Sequence, residues 1–223
     1  MKKSEAKAVI LDLDGVLVDT GAFHKRSWSD LSAQQGWSFS EEKFRRTFGM
    51  QNYQIIPLLA GRELSADEID RLSEWKEERY RELVTGKLVL LKGVRVLIDD
   101  LKLGGFLLAV GTSTPRMNLE FMLEHTHVRN SFDAFVTGEE VRCGKPAPDT
   151  FLKAAQKLSV AVERCVVVED AVQGVQAAKA AGMYVVAVTT TRCGADLAQA
   201  DIIVDNLEEL SAADFDKLLK SAG

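Results

Sequence analysis

Residues 8–16 have the sequence AVILDLDGV, in which a short apolar run leads into Asp12, Asp14 and Gly15. An apolar run without polar alternation is typical of a strand buried on both faces of a parallel sheet. Five later runs have the same character, at residues 106–111, 134–137, 165–168, 184–188 and 202–204. Because helical patterns separate these runs, we predict an α/β fold built on a doubly wound parallel sheet.

One long segment interrupts this alternation. Between residues 19 and 90 the apolar residues follow helical spacing, and no convincing strand pattern occurs. Ser65 and Glu68 form a capping-box signature at the start of one of these helices. We therefore expect a helical cap domain at residues 19–90, inserted into a core formed by residues 1–18 and 91–223.

The composition excludes several classes of protein. The chain has 223 residues, of which 46% are hydrophobic and 27% charged, and its net charge is −5. It has no basic stripe of the kind that nucleic-acid-binding proteins carry, and no run approaches the ~20 apolar residues of a membrane span. Its three cysteines are widely spaced, so neither a disulfide framework nor a zinc site is indicated.

The start of the chain does not resemble a signal peptide, because it is too charged and its apolar run is too short. We expect a cytoplasmic protein, monomeric or weakly oligomeric, with neither a nucleic acid nor a membrane as partner. A few local cations still suffice to bind an anionic substrate in a cleft, whatever the net charge.

The acidic pair Asp12 and Asp14 follows the first predicted strand directly. Carboxylates suit a hard cation such as Mg²⁺, and an aspartate can also attack phosphorus to form an aspartyl-phosphate. The alternative is a strand-end turn with a capping aspartate. The pair alone does not decide between these interpretations.

A second motif, GTSTP at residues 111–115, follows the second predicted strand. The hydroxyls of Thr112 and Ser113, together with backbone N–H groups at a helix N-terminus, would form an anion site. The simpler interpretation gives Thr114 the role of N-cap and places Pro115 at the first helical position. That interpretation leaves Thr112 unexplained.

Two further motifs supply opposite charges. Lys145 lies in the proline-bounded sequence GKPAPD, where it could neutralise a phosphoryl group, although an ordinary exposed lysine is the alternative. Glu169 and Asp170 follow another predicted strand. Adjacent like charges repel each other unless a cation or solvent relieves them, which favours a metal site.

All four motifs lie at or just after the carboxyl ends of predicted strands, where ligands bind in open α/β sheets. The Gly144–Lys145 pair is followed by proline, so it is not a Walker loop, and no G-x-G-x-x-G motif follows a strand. In this order the motifs resemble those of the haloacid dehalogenase (HAD) superfamily, over nearly the whole chain. The predicted helical insertion resembles the small cap of its β-phosphoglucomutase-like branch.

The resemblance implies a role for each of these positions. Asp12 would be the nucleophile, and Asp14 would be the general acid and base. Thr112 and Ser113 would bind the phosphoryl group together with Asp12 and Lys145. Lys145 would also be catalytic, by stabilising the charge that builds up between Asp12 and the phosphate. The implied cofactor is Mg²⁺, and its implied ligands are Asp12, Asp14, Glu169 and Asp170.

In the cap, the resemblance implies substrate contacts for His24, Trp28, Gly49 and Asn52. Where the mutase carries an arginine that binds a second phosphate, this chain has Asn52. The position of the mutase's cap lysine falls near Glu82, and the nearby cations that could replace it are Lys76, Arg79 and Arg81.

The leading hypothesis is a magnesium-dependent phosphatase that acts on a small phosphorylated metabolite, for example a sugar phosphate, through an aspartyl-phosphate. The alternative is a β-phosphoglucomutase-like phosphohexomutase, which transfers the phosphoryl group to a sugar hydroxyl instead of water. A metal-free dehalogenase is disfavoured by the acidic pair at residues 169–170. A catalytically silent binding domain is disfavoured because every expected catalytic residue type is present.

Overall fold

A computed structural model of the chain describes residues 6–220. At its centre is one sheet of six parallel strands in the order β3-β2-β1-β4-β5-β6. The strands are β1 (Ala8–Leu11), β2 (Leu107–Gly111), β3 (Ala134–Val136), β4 (Cys165–Glu169), β5 (Tyr184–Val188) and β6 (Ile202–Val204). All six predicted strands are present, so the predicted α/β fold is confirmed.

The described residues form nine α-helices. They are α1 (Gly21–Gln35), α2 (Glu41–Thr47), α3 (Asn52–Ala60), α4 (Ala66–Val84), α5 (Val94–Leu103), α6 (Arg116–Thr126), α7 (Asp149–Leu158), α8 (Val172–Ala180) and α9 (Ala212–Lys220). Within residues 6–220, no helix combines the length and the apolar character that crossing a membrane requires. The first five residues, on which the signal-peptide prediction depends, lie outside the described part of the chain.

Helices cover both faces of the sheet, which explains why its strands lack polar alternation. On β1, Val9 and Leu11 belong to one apolar core together with α5, α6 and α9. The two other residues of the strand, Ala8 and Ile10, belong to a second core together with α7 and α8. All four side chains are fully buried, so β1 is the centre of the fold.

Helices α1–α4 are inserted between β1 and α5, and we call them the helical cap. They enclose a third apolar core, to which the cap contributes Trp28, Leu31, Phe44, Phe48, Ile55, Ile56, Leu59 and Leu72. The chain enters and leaves the cap at neighbouring points, because Val18 forms an antiparallel bridge with Leu90. The predicted insertion is present, and the exact division into domains at residues 18 and 90 stays a prediction.

The sheet brings distant parts of the sequence together at one edge. Strand β1 pairs with β2 on one side and with β4 on the other, and all three run in the same direction. Asp12, Thr112 and Glu169 end or directly follow these strands, and the strands deliver them side by side.

Local sequence signals predict one helix start correctly and another wrongly. The hydroxyl of Ser65 accepts a hydrogen bond from the backbone N–H of Glu68, and the Glu68 carboxylate accepts one from the backbone N–H of Ser65. At α6, in contrast, the helix begins at Arg116, so Pro115 is the N-cap residue and Thr114 is not. Thr114 instead uses its hydroxyl for a tertiary contact described below.

We predict that Ser65→Ala lowers the free energy of unfolding by about 1 kcal/mol, because the N-cap hydrogen bond of α4 is lost. Urea denaturation followed by circular dichroism measures the change. Ser65→Asp is the matched control, since aspartate is also a good N-cap and should keep most of the stability. Equal stabilities of Ser65→Ala and the unsubstituted protein would contradict the assigned capping role.

Candidate active site

A cavity lies between the carboxyl edge of the sheet and the helical cap. It measures about 50 Å³, which is space for a few water molecules. The predicted site residues that line it are Asp12, Asp14, His24, Trp28, Gly49, Asn52, Thr112, Ser113, Lys145 and Asp170. Glu169 is fully buried and is not part of this lining, although it contacts Lys145. The fold thus brings all eleven predicted residues together at or directly beside one cavity.

Lys145 forms the electrostatic centre of the site. Its Nζ lies 2.8 Å from Oδ1 of Asp12 and 2.6 Å from Oε1 of Glu169. Its side chain is only 1% exposed, so it is not the surface lysine that the sequence left as an alternative. Burial alone would lower the pKa of Lys145, but the two carboxylates outweigh burial and raise it above its ordinary value.

The carboxyl group of Asp12 experiences opposing influences. Burial raises its pKa, the Lys145 ammonium opposes this rise, and the negative charges of Glu169 and Asp14 add to it, so that the pKa is about 7. The single ammonium beside Asp12 is shared with Glu169. A further positive charge in the cavity would therefore favour the ionised form of Asp12.

Both oxygens of Glu169 are engaged. Oε1 accepts from Lys145, and Oε2 accepts from the backbone N–H groups of Asp170 and Ala171, each at 2.7 Å. A Cβ at Gly174 would lie 1.7 Å from Oε1 of Glu169, so only glycine leaves space for this carboxylate. The position of Glu169, and through it that of Lys145, is therefore fixed by the start of α8.

The two carboxylate oxygens of Asp170 differ in hydrogen bonding: one accepts a hydrogen bond and the other has no partner among the described residues. The hydroxyl of Thr191 donates to Oδ2 of Asp170, whereas the buried Oδ1 has no hydrogen-bond partner within residues 6–220. Burial and the charge of Glu169 raise the pKa of Asp170 well above its ordinary value. Gly15 approaches it closely: with φ at +85°, its backbone leaves so little space that a Cβ would lie 2.0 Å from Oδ2 of Asp170.

These acids form a cluster that fits a metal ion. Oxygens of Asp12, Glu169 and Asp170 lie within 4.8 Å of one another, and all three residues are buried. The Lys145 ammonium pairs with two of them, Asp12 and Glu169. An all-oxygen donor set with excess negative charge suits a hard divalent cation, and the open oxygen of Asp170 provides a ligand atom for one.

Asp14 accepts hydrogen bonds from both sides of the cavity. Thr114 donates its hydroxyl to Oδ2 at 2.5 Å, and Thr20 donates to Oδ1, which also lies 3.0 Å from Nε2 of His24. Burial would raise the pKa of Asp14, but His24 and the two threonine hydroxyls outweigh it and hold the pKa below its ordinary value. Sequence reasoning missed Thr20, and it assigned Thr114 to helix capping.

The predicted phosphate-binding residues lie on the loop between β2 and α6. Thr112 is buried, and its hydroxyl oxygen accepts from the backbone N–H of Thr114 at 3.1 Å. Ser113 donates its hydroxyl to the backbone carbonyl of Gly49 at 2.8 Å. This bond joins the loop to the cap, so Gly49 contacts the core directly.

Polar side chains of the cap continue the hydrogen bonds of Asp14, which itself belongs to the core. His24 lies between Asp14 and Lys76, whose Nζ is 2.9 Å from its Nδ1. Because an ammonium only donates, Nδ1 of His24 accepts and its Nε2–H donates to Asp14. Trp28 packs against Lys76, with Nζ 4.9 Å from the ring centroid.

Of the three candidate cap cations, Lys76 is the one that lines the cavity. Arg79 pairs with Asp30 and with Glu82, and Arg81 donates to Asn118. Asn52 donates its side-chain amide to Glu77, a buried residue that sequence reasoning did not identify.

Comparisons with known proteins agree with this arrangement. Residues 6–182 match the family model of the haloacid dehalogenase-like hydrolases. The fructose-1-phosphate phosphatase YqaB of Escherichia coli is 34% identical over 179 residues, which cover 78% of this chain and 92% of that protein. The beta-phosphoglucomutase of Bacillus subtilis is 31% identical over 213 residues, which cover 92% of each chain.

A solved structure of beta-phosphoglucomutase from Clostridium difficile has the same fold, with a TM-score of 0.89, 24% identity and coverage of 97% of this chain and 98% of that one. The predicted resemblance is confirmed. So is the predicted enzyme class, at the level of a phosphoric monoester hydrolase with a mutase as its alternative. The matched family model spans most of the chain, and the relatives agree with it over nearly the full length: the chain belongs to the haloacid dehalogenase-like hydrolases.

Proposed function

We propose that the chain is a magnesium-dependent phosphatase of a small phosphorylated metabolite, with Asp12 as its nucleophile. The observation that carries this proposal is the position of Asp12 in the cavity, 2.8 Å from the Lys145 ammonium and beside a second carboxylate, Asp14, that has a separate set of hydrogen-bond partners. Two carboxyl groups in different environments suit two different roles.

In the proposed reaction, a carboxylate oxygen of Asp12 attacks phosphorus while the bond to the leaving oxygen breaks. Asp14 donates a proton to that oxygen, so the product leaves as an alcohol. Asp14 then takes a proton from water, which attacks the aspartyl-phosphate and releases Asp12 and inorganic phosphate. The negative charge of a bound phosphoryl group raises the pKa of a nearby carboxyl, which favours proton donation by Asp14 in the first step.

Lys145 and the loop at residues 112–113 bind the phosphoryl group in this proposal. The Lys145 ammonium offsets the repulsion between Asp12 and the anionic substrate. Thr112 and Ser113 line the cavity beside it. Thr112 would donate its hydroxyl to a phosphoryl oxygen, and Ser113, whose hydroxyl donates to Gly49, would donate its backbone N–H. These contacts orient the phosphorus for attack.

The proposed metal ion is Mg²⁺, held by Asp12, Asp170 and the backbone carbonyl of Asp14. It would supply positive charge that Lys145 alone does not provide. The open oxygen of Asp170 supports its role as a direct ligand. Since Glu169 already accepts hydrogen bonds on both oxygens, we infer that it holds Lys145 and the Asp170 backbone in place.

A phosphatase is favoured over a phosphohexomutase because the cap offers no uncompensated cation to the cavity. A mutase intermediate carries two phosphate groups, and the second needs positive charge. Asn52 is neutral, Arg79 and Arg81 are engaged elsewhere, and Lys76 is paired with Glu77 at 2.8 Å. YqaB, whose name specifies a sugar monophosphate, supports a substrate of this kind.

The cavity is too small for a whole sugar phosphate, so we infer that the cap moves away from the core when the substrate enters. The chain passes between the core and the cap near residues 18–20 and 87–93, and these two segments are the proposed hinge. Closure would then exclude bulk water from the reacting groups.

We predict that Asp12→Asn lowers phosphate release by about a thousandfold or more, because the amide is a poor nucleophile. Steady-state release of inorganic phosphate from a sugar monophosphate, with Mg²⁺ present, measures the loss, and circular dichroism checks the fold. Asp99→Asn is the matched control, since Asp99 is exposed on α5, lies outside the proposed hinge and undergoes the same charge change. Unchanged turnover of Asp12→Asn would refute the assigned nucleophile.

We predict that Mg²⁺ stabilises the protein through Asp170. At a free concentration ten times the Kd, binding contributes about 1.4 kcal/mol, which raises the Tm by roughly 3–6 °C in a chain of this size. Asp170→Asn should lose most of this shift. In a chelator, the variant should melt at or above the temperature of the unsubstituted protein, because one of three mutually repelling acids has been neutralised.

The measurement is a thermal melt with EDTA and with Mg²⁺, and Asp99→Asn again serves as the control. A full Mg²⁺-induced shift in Asp170→Asn would contradict the assignment of this ligand. A lower Tm of the variant in EDTA would contradict the proposed repulsion.

The choice between water and a sugar hydroxyl as acceptor is tested by a substrate panel. We predict that sugar monophosphates yield free phosphate in amounts equal to the substrate consumed. Free phosphate and sugar phosphate isomers are measured in the same samples. Conversion of a hexose 1-phosphate to its 6-phosphate without phosphate release would replace the phosphatase proposal with the mutase alternative.

A further inference from the structure

The cap side of the cavity carries a carboxylate that the proposed chemistry does not use. Glu77 follows Lys76 on α4, is 5% exposed and lines the same cavity as Asp12 and Asp14. The proposed nucleophile and metal ligands all come from the core, whereas Glu77 comes from the cap. It therefore lies on the side of the cavity that would receive the non-reacting part of a substrate.

Three donors fix the Glu77 carboxylate. Its Oε1 accepts from Nδ2 of Asn52 and from Nζ of Lys76, both at 2.8 Å, and its Oε2 accepts from Nδ2 of Asn118 at 2.6 Å. A carboxylate oxygen accepts two hydrogen bonds. Among the described residues Oε2 has one donor, so this oxygen retains capacity for one more.

The charge of Glu77 is maintained by its surroundings. Burial opposes ionisation, but the positive charge of Lys76 and the hydrogen bonds from Lys76 and Asn52 outweigh burial, so the pKa lies below its ordinary value. Lys76 contacts Glu77 on one side and Nδ1 of His24 on another. Its positive charge is thus compensated and is not available to a second phosphate.

We propose that Glu77 is a specificity-determining residue that accepts a hydrogen bond from a substrate hydroxyl and, by pairing with Lys76, leaves no free cation for a second anionic group. This inference rests on the proposed function and narrows its substrate class to hydroxyl-bearing monophosphates, with bisphosphates excluded. A hydroxyl that reaches Oε2 gains a charge-assisted hydrogen bond. A second phosphate would lose its hydration in this cavity without gaining a free cation, because the Lys76 ammonium is already paired with Glu77.

Glu77 could instead act only as a structural counterion of Lys76. The two roles differ in a measurable way. Loss of a counterion disturbs the position of Lys76 and His24, and it weakens the binding of every substrate by a similar factor. Loss of a specificity residue changes the ratio between the affinities for a monophosphate and for the matching bisphosphate.

The test is equilibrium binding in the Asp12→Asn background, which prevents turnover. Isothermal titration calorimetry with Mg²⁺ present measures the Kd values of fructose 1-phosphate and of fructose 1,6-bisphosphate, which differ by one phosphoryl group. We expect the Asp12→Asn protein to bind the monophosphate at least tenfold more tightly. Adding Glu77→Gln should reduce this preference at least tenfold, by weakening monophosphate binding and strengthening bisphosphate binding.

Two control variants separate charge from shape. Glu78→Gln changes the net charge equally at an exposed neighbouring position and should leave the preference unchanged. Glu77→Asp keeps the charge and should retain the discrimination against bisphosphate. If Glu77→Gln does not fold, Asn52→Lys tests the same idea, because a cation at a residue that contacts Glu77 offsets its charge and should also reduce the preference.

A monophosphate-to-bisphosphate affinity ratio that stays within twofold in Glu77→Gln would overturn the proposal, as would tighter binding of the bisphosphate by the Asp12→Asn protein. Failure to bind either sugar phosphate would also overturn it. Phosphate release by the protein with intact Asp12 reports on the proposed function separately. A shifted affinity ratio without phosphate release would support the role of Glu77 while refuting the phosphatase.

Discussion

The ion pair of Lys145 with Asp12 and Glu169 is the interaction on which the rest of the site depends. Three carboxylates, including Asp170, are buried together at the end of the sheet, and one ammonium faces them. Burying unpaired charge is costly. The three carboxylates must therefore either accept hydrogen bonds from neighbouring donor groups or bind a cation. The order of the strands places these acids next to one another. Glycine at position 174 leaves the space that the Glu169 carboxylate occupies against α8.

The core of the fold and of the candidate site could be predicted because both follow from strand periodicity. Apolar runs without alternation indicate a parallel sheet, and the carboxyl ends of its strands meet at one edge. The positions of Asp12, Thr112 and Glu169 follow from that geometry alone. The contact of Asp14 with Thr114 does not, because a local capping signal gives no information about a carboxylate 100 residues away. The contact with Thr20 depends on how the chain turns between β1 and α1, which the strand pattern does not specify.

The cap was less predictable because its contribution depends on how the helices rotate and pack. Three basic residues of α4, Lys76, Arg79 and Arg81, were candidates for a cation in the cavity. Their order in the sequence does not show which of them lies there. Spacing does contain a signal: Leu72, Lys76 and Tyr80 recur every four residues and are buried on one face, which places Lys76 inside. Glu77 also lies on this buried side, although a charged residue next to a lysine would ordinarily be assigned to solvent.

The hydrogen bonds of Asp14 connect the proposed chemistry to the closure of the cap. Thr114 approaches Asp14 from the core, whereas His24 approaches it from α1. The influence that holds the pKa of Asp14 below its ordinary value therefore comes partly from a residue that would leave if the cap opened. His24 also contacts Lys76, and Lys76 contacts Glu77, so the cap helices that we propose for substrate recognition also influence the pKa of Asp14. In the proposed reaction, closure of the cap would thereby hold Asp14 in its ionised form, which is the form that accepts a proton from water in the second step.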